Sequence, residues 1–276
     1  MSTLISFKYQ KRLALTSFVL YVLFTSGLFW GRLFTAEWKS PITDPNWTAE
    51  QASAFYTDHR GLIQLGVFSY MIGTSFLIPL AVLVAARTRM LEKRFAFFSM
   101  GQLVAFTGCY MVIVLMGIMW TMAAFRAGSV SPELTQAFND LAWLVTIYGW
   151  PPFAAWILLM ALPVFLAPPG SPTLPRWWGY FSILETIAGG TVINGLVGFF
   201  KTGPFAYNGI ISTYLPLGFF AVYLVVTSVM LAFFDRNHPD YHGDSGRAAA
   251  VGDADPHPVV SEPDRPLDVP LPERIG

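Results

Sequence analysis

Residues 95–125 read FAFFSMGQLVAFTGCYMVIVLMGIMWTMAAF, an apolar stretch that contains no charged side chain. An α-helix needs about 20 predominantly apolar residues to cross about 30 Å of hydrocarbon. This stretch exceeds that length, and it therefore predicts a transmembrane helix that tilts or projects from the bilayer.

Five other stretches share this character, so six spans are predicted, at 13–34, 61–86, 95–125, 136–167, 177–200 and 210–234. Hydrophobic residues make up 54% of the chain and charged residues only 12%, about half the share in soluble domains. The strand-like alternation of a membrane barrel is absent. We predict an all-α polytopic membrane protein, with a bundle of six transmembrane helices within residues 1–235. Residues 236–276 are rich in Pro, Asp and Gly, which is typical of a disordered tail.

The distribution of basic residues predicts the orientation of the bundle. Lys8, Lys11 and Arg12 precede the first stretch, whose length favours a retained helix over a cleaved signal peptide. Nine basic residues fall on the side of the two termini, against five on the other side. Because basic loops stay in the cytoplasm, both termini and the tail are predicted to be cytoplasmic, in the inner or plasma membrane of the cell.

Composition also argues against several classes of function. Seventeen basic and seventeen acidic residues cancel, so no basic field indicates a nucleic-acid partner. The single cysteine, Cys109, forms no zinc motif and is expected to be a small core residue. No nucleotide-binding glycine motif or buried histidine pair is present, so neither a metal nor a cofactor is predicted.

Glu185 is an acidic residue within the fifth predicted span. It follows Trp177 by about eight residues, or roughly 12 Å of helix rise. An ionisable side chain at such a depth is costly and is therefore a candidate for function. Apolar surroundings favour the neutral acid, which can donate a proton or a hydrogen bond. Glu185 is accordingly a candidate catalytic acid, proton carrier or ligand contact, or else a buried group that satisfies a free carbonyl.

Two prolines interrupt the fourth predicted span in the sequence Tyr148-Gly149-Trp150-Pro151-Pro152. Proline lacks an N–H group, so the carbonyls one turn earlier lose their helical partners. Interrupted helices at mid-membrane often line a cavity, and this interruption lies at a depth similar to that of Glu185. We therefore expect Tyr148 and Trp150 to contact a ligand, with Asn194 of the fifth span as a further polar contact.

Two further polar residues, Asn139 and Asp140, lie near the outer, non-cytoplasmic end of the fourth span. In one interpretation these residues are helix caps or ion-pair partners of Arg126, Arg32 or Lys201. In the other they belong to a polar vestibule that includes His59, where Asp140 is catalytic, His59 transfers protons, and Asn139 and Lys201 contact a ligand. Lys201 alternatively anchors in the lipid headgroups.

Three short stretches are FNDLAW at 138–143, PRWWGY at 175–180 and FFKTGPFAYNG at 199–209. They resemble sequences of a family of uncharacterised bacterial multi-pass membrane proteins, and the similarity spans residues 13–235. The resemblance implies the six-helix fold and no particular activity. In the last stretch, Thr202-Gly203-Pro204 and Asn208-Gly209 are turn formers, so they predict a short, defined loop between the last two spans.

The leading hypothesis is that the bundle binds a hydrophobic small molecule, such as a lipid, steroid or isoprenoid, that enters between helices. The alternatives are an accessory or assembly subunit, a membrane enzyme of isomerase or cyclase type with Glu185 as general acid, and a proton-coupled transporter. The expected partners are membrane lipids, the ligand itself, and a protein partner or a second copy. A Glu185 that is fully packed, with no adjoining cavity, would contradict the leading hypothesis.

Overall fold

The computed structural model of this chain describes residues 7–29, 43–92, 94–168, 171, 174–187 and 200–234. Most of these residues are helical, and no β-strand occurs among them. The helices are α1 (Phe7–Phe29), α2 (Ala49–Asp58), α3 (Arg60–Ser75), α4 (Ile78–Arg89), α5 (Phe97–Arg126), α6 (Pro132–Tyr148), α7 (Pro151–Leu166), α8 (Arg176–Thr186) and α9 (Leu215–Phe234), and a π-helical turn (Ile210–Tyr214) leads into α9. The predicted tail 236–276 lies outside the described residues.

Four of the predicted spans correspond to helical segments that are long and apolar enough to cross a membrane. Within the described residues these segments are Arg60–Arg89, Phe97–Arg126, Pro132–Leu166 and Ile210–Phe233. The structure therefore confirms an all-helical fold with the capacity to span a membrane. The first and fifth predicted spans both run into residues outside the described ranges, at 30–34 and 188–199.

Two of these segments are broken in the middle. The break between α6 and α7 falls at Gly149-Trp150, directly before Pro151 and Pro152, as the missing N–H groups predict. The break between α3 and α4 falls at Phe76-Leu77, whose N–H groups bond to carbonyls three residues earlier. It was not expected from the span prediction, although Pro79 signals it, because a proline there cannot donate to the Ser75 carbonyl.

Helix α5 is the central helix of the bundle and packs against α3, α4, α6 and α7. Its buried residues recur at helical spacing and include Phe106, Cys109, Ile113 and Met116, the pattern of one continuous helix face. Cys109 is 1% exposed, so the prediction that it is a core residue is confirmed.

The short helix α2 covers one end of the bundle, where it packs on α6. Thr48 caps it, because its hydroxyl accepts from the N–H of Gln51 while the Gln51 side chain accepts from the N–H of Thr48. Such a capping box satisfies two otherwise unpaired donors. We call this end, where α2, the start of α6 and the loop 200–209 meet, the α2 end.

The first and last helices come together at the opposite end of the bundle. Lys11, near the start of α1, donates from Nζ to the carbonyl of Ala232, near the end of α9, at 3.1 Å. The chain therefore enters and leaves the bundle at the same end.

Candidate functional site

A cavity of about 400 Å³ lies inside the bundle. Its wall is built from α1, α3, α5, α6, α7, the π-helical turn and α9. The volume falls in the range of sites that hold small organic ligands. This cavity is the candidate functional site.

Three backbone irregularities meet at the cavity wall. The α3–α4 break contributes Leu77, the α6–α7 break contributes Trp150, and the π-helical turn contributes Thr213 and Tyr214. Broken helices and π-turns interrupt regular hydrogen bonding and are frequent at binding sites. Their convergence on one space distinguishes this cavity from an ordinary packing defect.

The wall is apolar and strongly aromatic. Nearly half of the described residues that line it are Phe, Tyr or Trp, and no charged side chain occurs among them. Trp150 stacks on Phe153 with ring centroids 5.0 Å apart, and both meet the Phe220 ring edge-on. Flat aromatic surfaces of this kind favour planar apolar ligands.

A few polar groups also lie in or next to this wall. Thr25 and Thr74 each donate a hydroxyl proton to the carbonyl one turn earlier, at 2.7 and 2.8 Å. Tyr110 shares a 3.0 Å hydrogen bond with the Ser75 hydroxyl. The buried indole N–H groups of Trp150 and Trp156 have no hydrogen-bond partner among the described residues. The wall therefore offers hydrogen bonds without offering charge.

Asn139 organises a buried hydrogen-bond cluster at the α2 end. Its Oδ1 accepts from the Thr43 and Tyr56 hydroxyls at 2.8 and 2.9 Å. Its Nδ2 donates to Asp140 Oδ1 at 3.0 Å and to the Tyr207 hydroxyl at 3.3 Å. One amide thus joins the residue 43 region, α2, α6 and the loop 200–209.

This Asn139 cluster adjoins the cavity through stacked rings. Trp143 lies one helical turn after Asn139, lines the cavity, and stacks on Tyr207 at 5.1 Å with an interplanar angle of 5°. Burial raises the pKa of Tyr207 to about 12 and raises the pKa of Tyr56 well above its ordinary value. Both phenols stay neutral at physiological pH and act as hydrogen-bonding groups.

Glu185 does not line the cavity among the residues described. It is fully buried at the end of α8, and neither carboxyl oxygen has a hydrogen-bond partner in the described part of the chain. The expected alternative bond to a carbonyl freed by the α6–α7 break is therefore not formed. This packed position contradicts the leading hypothesis as far as Glu185 is its polar contact, and only a ligand site that does not use Glu185 is compatible with the described residues.

The other predicted site residues of the fourth and fifth spans differ in where they lie relative to the cavity. Trp150 lines the cavity, as expected for a ligand contact, whereas the Tyr148 side chain is 49% exposed and does not. Asn139 and the half-buried Asp140 belong to the hydrogen-bond cluster at the α2 end. Asn194 lies outside the described residues.

The remaining two predicted residues have local roles at the α2 end. Lys201 is exposed and acts on Asp140 electrostatically, and its carbonyl accepts from Asn46. His59 joins α2 to α3, with Nδ1 2.9 Å from the Phe55 carbonyl and its ring packed on Phe55. Neither residue lines the cavity.

Most of the residues that line the cavity were not predicted from the sequence. The tyrosines and threonines at Tyr21, Thr25, Tyr70, Thr74 and Tyr110 all lie within apolar spans. Their positions inside those spans could have indicated that they face inward, since polar atoms in a span face the bundle interior more often than lipid. Pro79, which marks the second break, was the other signal.

No protein-family model, curated protein or solved structure matches this chain. In the part of the chain that the structure describes, no three His, Cys, Asp or Glu side chains lie together as metal ligands would. The geometry and chemistry of the cavity are therefore the basis for assigning a function.

Proposed function

We propose that this chain is a six-span protein of the inner or plasma membrane that binds a hydrophobic small molecule in its central cavity. The observation that carries the proposal is an uncharged aromatic cavity at the meeting point of two broken helices and a π-turn. These are the features of a built ligand site, and they coincide at one place in the bundle.

The path of the chain supports six crossings. Tyr180 in α8 packs on Phe165 near the end of α7, whereas Tyr207 bonds to Asn139 near the start of α6. Tyr180 and Tyr207 thus lie toward opposite ends of the bundle, which supports the proposed fifth crossing between them. Together with α1, the three spans between residues 60 and 166, and α9, this crossing would give six. An even number of crossings brings the start of α1 and the end of α9 to the same end of the bundle, in agreement with the contact between Lys11 and Ala232.

The outer surface of the helices supports a lipid environment. Large apolar side chains are well exposed on several spans, for example Phe68, Val104 and Val222. Extended apolar exposure is unfavourable in water but costs nothing against lipid tails. The positive-inside bias then places both termini in the cytoplasm.

Gly218 provides a direct test of the cavity as a binding site. It lies in α9 at the cavity wall, and a Cβ added there meets no atom of the described residues within 4 Å. Gly218→Leu is therefore expected to occupy part of the cavity, because its first side-chain atom has open space. Gly61→Leu is the matched control, because Gly61 also has open space around its Cβ position but is exposed at the start of α3.

The experiment is mass spectrometry of small molecules that co-purify with the protein in lipid nanodiscs. We expect one defined compound with the wild type and with Gly61→Leu, and its loss from Gly218→Leu. The same bulk lipids in all three preparations, together with a stoichiometric protein partner, would favour an accessory subunit and contradict the proposal.

A further inference from the structure

The threonines of the cavity wall present hydroxyl oxygens rather than hydroxyl protons. Each donates its proton to a backbone carbonyl, so that its oxygen can take part in a further hydrogen bond only as an acceptor. At Thr25 and Thr74 the side chains of Tyr21 and Tyr70 already make one such bond, which leaves one lone pair for a ligand. The pairs are Thr25 with Tyr21, Thr74 with Tyr70, Thr146 with Ala142 and Thr213 with Tyr207. They belong to α1, α3, α6 and the π-helical turn, so acceptors face the site from several sides.

The rest of the wall restricts the charge and shape of a ligand. Among the described lining residues no side chain could neutralise an ion, and a bare charge in such surroundings carries a large desolvation cost. The aromatic surfaces favour stacking with a planar ring system. A cavity of about 400 Å³ has room for a few fused rings.

We infer that the ligand is a neutral, planar ring compound that bears a hydroxyl group, and that this group donates to the wall threonines. Phenols, quinols and hydroxylated polycyclic compounds belong to this class. The inference rests on the proposed function, because it specifies the chemistry of the ligand for the same cavity.

Three probes of one shape separate the elements of this inference. Phenanthrene supplies the rings alone, 9-phenanthrol adds a hydroxyl group, and phenanthrene-9-carboxylate adds a charge. Binding is measured by equilibrium dialysis against nanodiscs at pH 7, and the binding that remains with Gly218→Leu is subtracted as partition into lipid. We expect 9-phenanthrol to bind about 3- to 10-fold more tightly than phenanthrene, the effect of one neutral hydrogen bond. The carboxylate should show no binding above that of Gly218→Leu.

Replacement of the wall threonines by valine tests the acceptor role. Valine keeps the shape and removes the oxygen, so Thr25→Val, Thr74→Val, Thr146→Val and Thr213→Val are made one at a time. At least one of them should reduce the preference for 9-phenanthrol to less than twofold while phenanthrene still binds. Thr121→Val is the control, because Thr121 makes the same bond to a carbonyl one turn earlier but lies outside the cavity wall.

The outcomes distinguish the two levels of the argument. If no probe shows binding that Gly218→Leu abolishes, the cavity is not a ligand site and the proposed function fails with the inference. If phenanthrene and 9-phenanthrol bind equally, if the carboxylate binds, or if all four valine variants keep the preference, the inference alone is overturned.

Discussion

At the scale of single residues, Asn139 is the side chain whose contacts reach furthest. It joins four parts of the chain through one buried amide and accepts from the Tyr56 hydroxyl, while the Thr43 and Tyr207 hydroxyls bond both to it and to each other. Buried polar groups that lose a partner cost about 1–3 kcal/mol each. The residue therefore holds the α2 end of the bundle together.

Asn139→Ala should destabilise the protein by about 3 kcal/mol, because it removes the acceptor of the buried Tyr56 hydroxyl and also the bonds from the amide to Thr43, Tyr207 and Asp140. The measurement is the temperature at which Cys109, the single cysteine and 1% exposed, becomes reactive to a fluorogenic maleimide. Asn46→Ala is the matched control, since Asn46 makes hydrogen bonds but is exposed, and it should shift the midpoint little. Equal shifts in the two variants would contradict the role assigned to Asn139.

Tyr207 should make stability depend on alkaline pH. Burial raises its pKa from the ordinary 10.0 to about 12, so above pH 10 the unfolded state loses a proton that the folded state keeps. Stability must then fall as the pH rises from 10 to 12 and be unaffected by this group below pH 10. Tyr207→Phe should make the fall in unfolding midpoint over this range shallower, and a slope like that of the wild type would refute the assignment. Tyr180→Phe, at a residue 64% exposed, should keep the slope of the wild type.

At the scale of the elements, the two broken helices decide where the cavity lies. The α6–α7 break depends on Gly149 as well as on the prolines that follow it. A Cβ on Gly149 would lie 2.3 Å from Val112 Cγ1 and 2.4 Å from the Val145 carbonyl oxygen. The glycine therefore permits the close approach of this break to α5.

Gly149→Ala should destabilise the protein by about 1–3 kcal/mol, because the added methyl group overpacks the contact with α5. Gly61→Ala, where a Cβ meets no atom within 4 Å in the described part of the chain, should be neutral or slightly stabilising, as helix propensity favours alanine. The unfolding midpoint of both variants is measured with the Cys109 assay. A neutral Gly149→Ala would show that the break can move away from α5 without cost.

At the scale of the whole molecule, the topology has a direct test. In a Cys109→Ala background, Ser129→Cys reports on the connection between α5 and α6, and Met90→Cys reports on the end of α4. Both residues are exposed, so access depends on the side of the membrane. With cytoplasmic termini, an impermeant maleimide should label residue 129 in intact spheroplasts and residue 90 only after lysis. The reverse pattern would invert the proposed orientation.

The sequence by itself determined the elements of this protein. Apolar length predicted the spans that the structure describes as helices, and Pro151 and Pro152 predicted the α6–α7 break. These features are local, because they depend on hydrogen bonds and side chains within a few residues of each other.

Only the tertiary structure decided the site. A helix that is apolar all round, such as α5, has no polar face to show which side meets its neighbours. The rotation of each helix therefore could not be read from the pattern, and neither could the meeting of Thr25, Thr74, Trp150 and Thr213 around one cavity. For the same reason the sequence could not predict that Glu185 lies away from the described cavity wall.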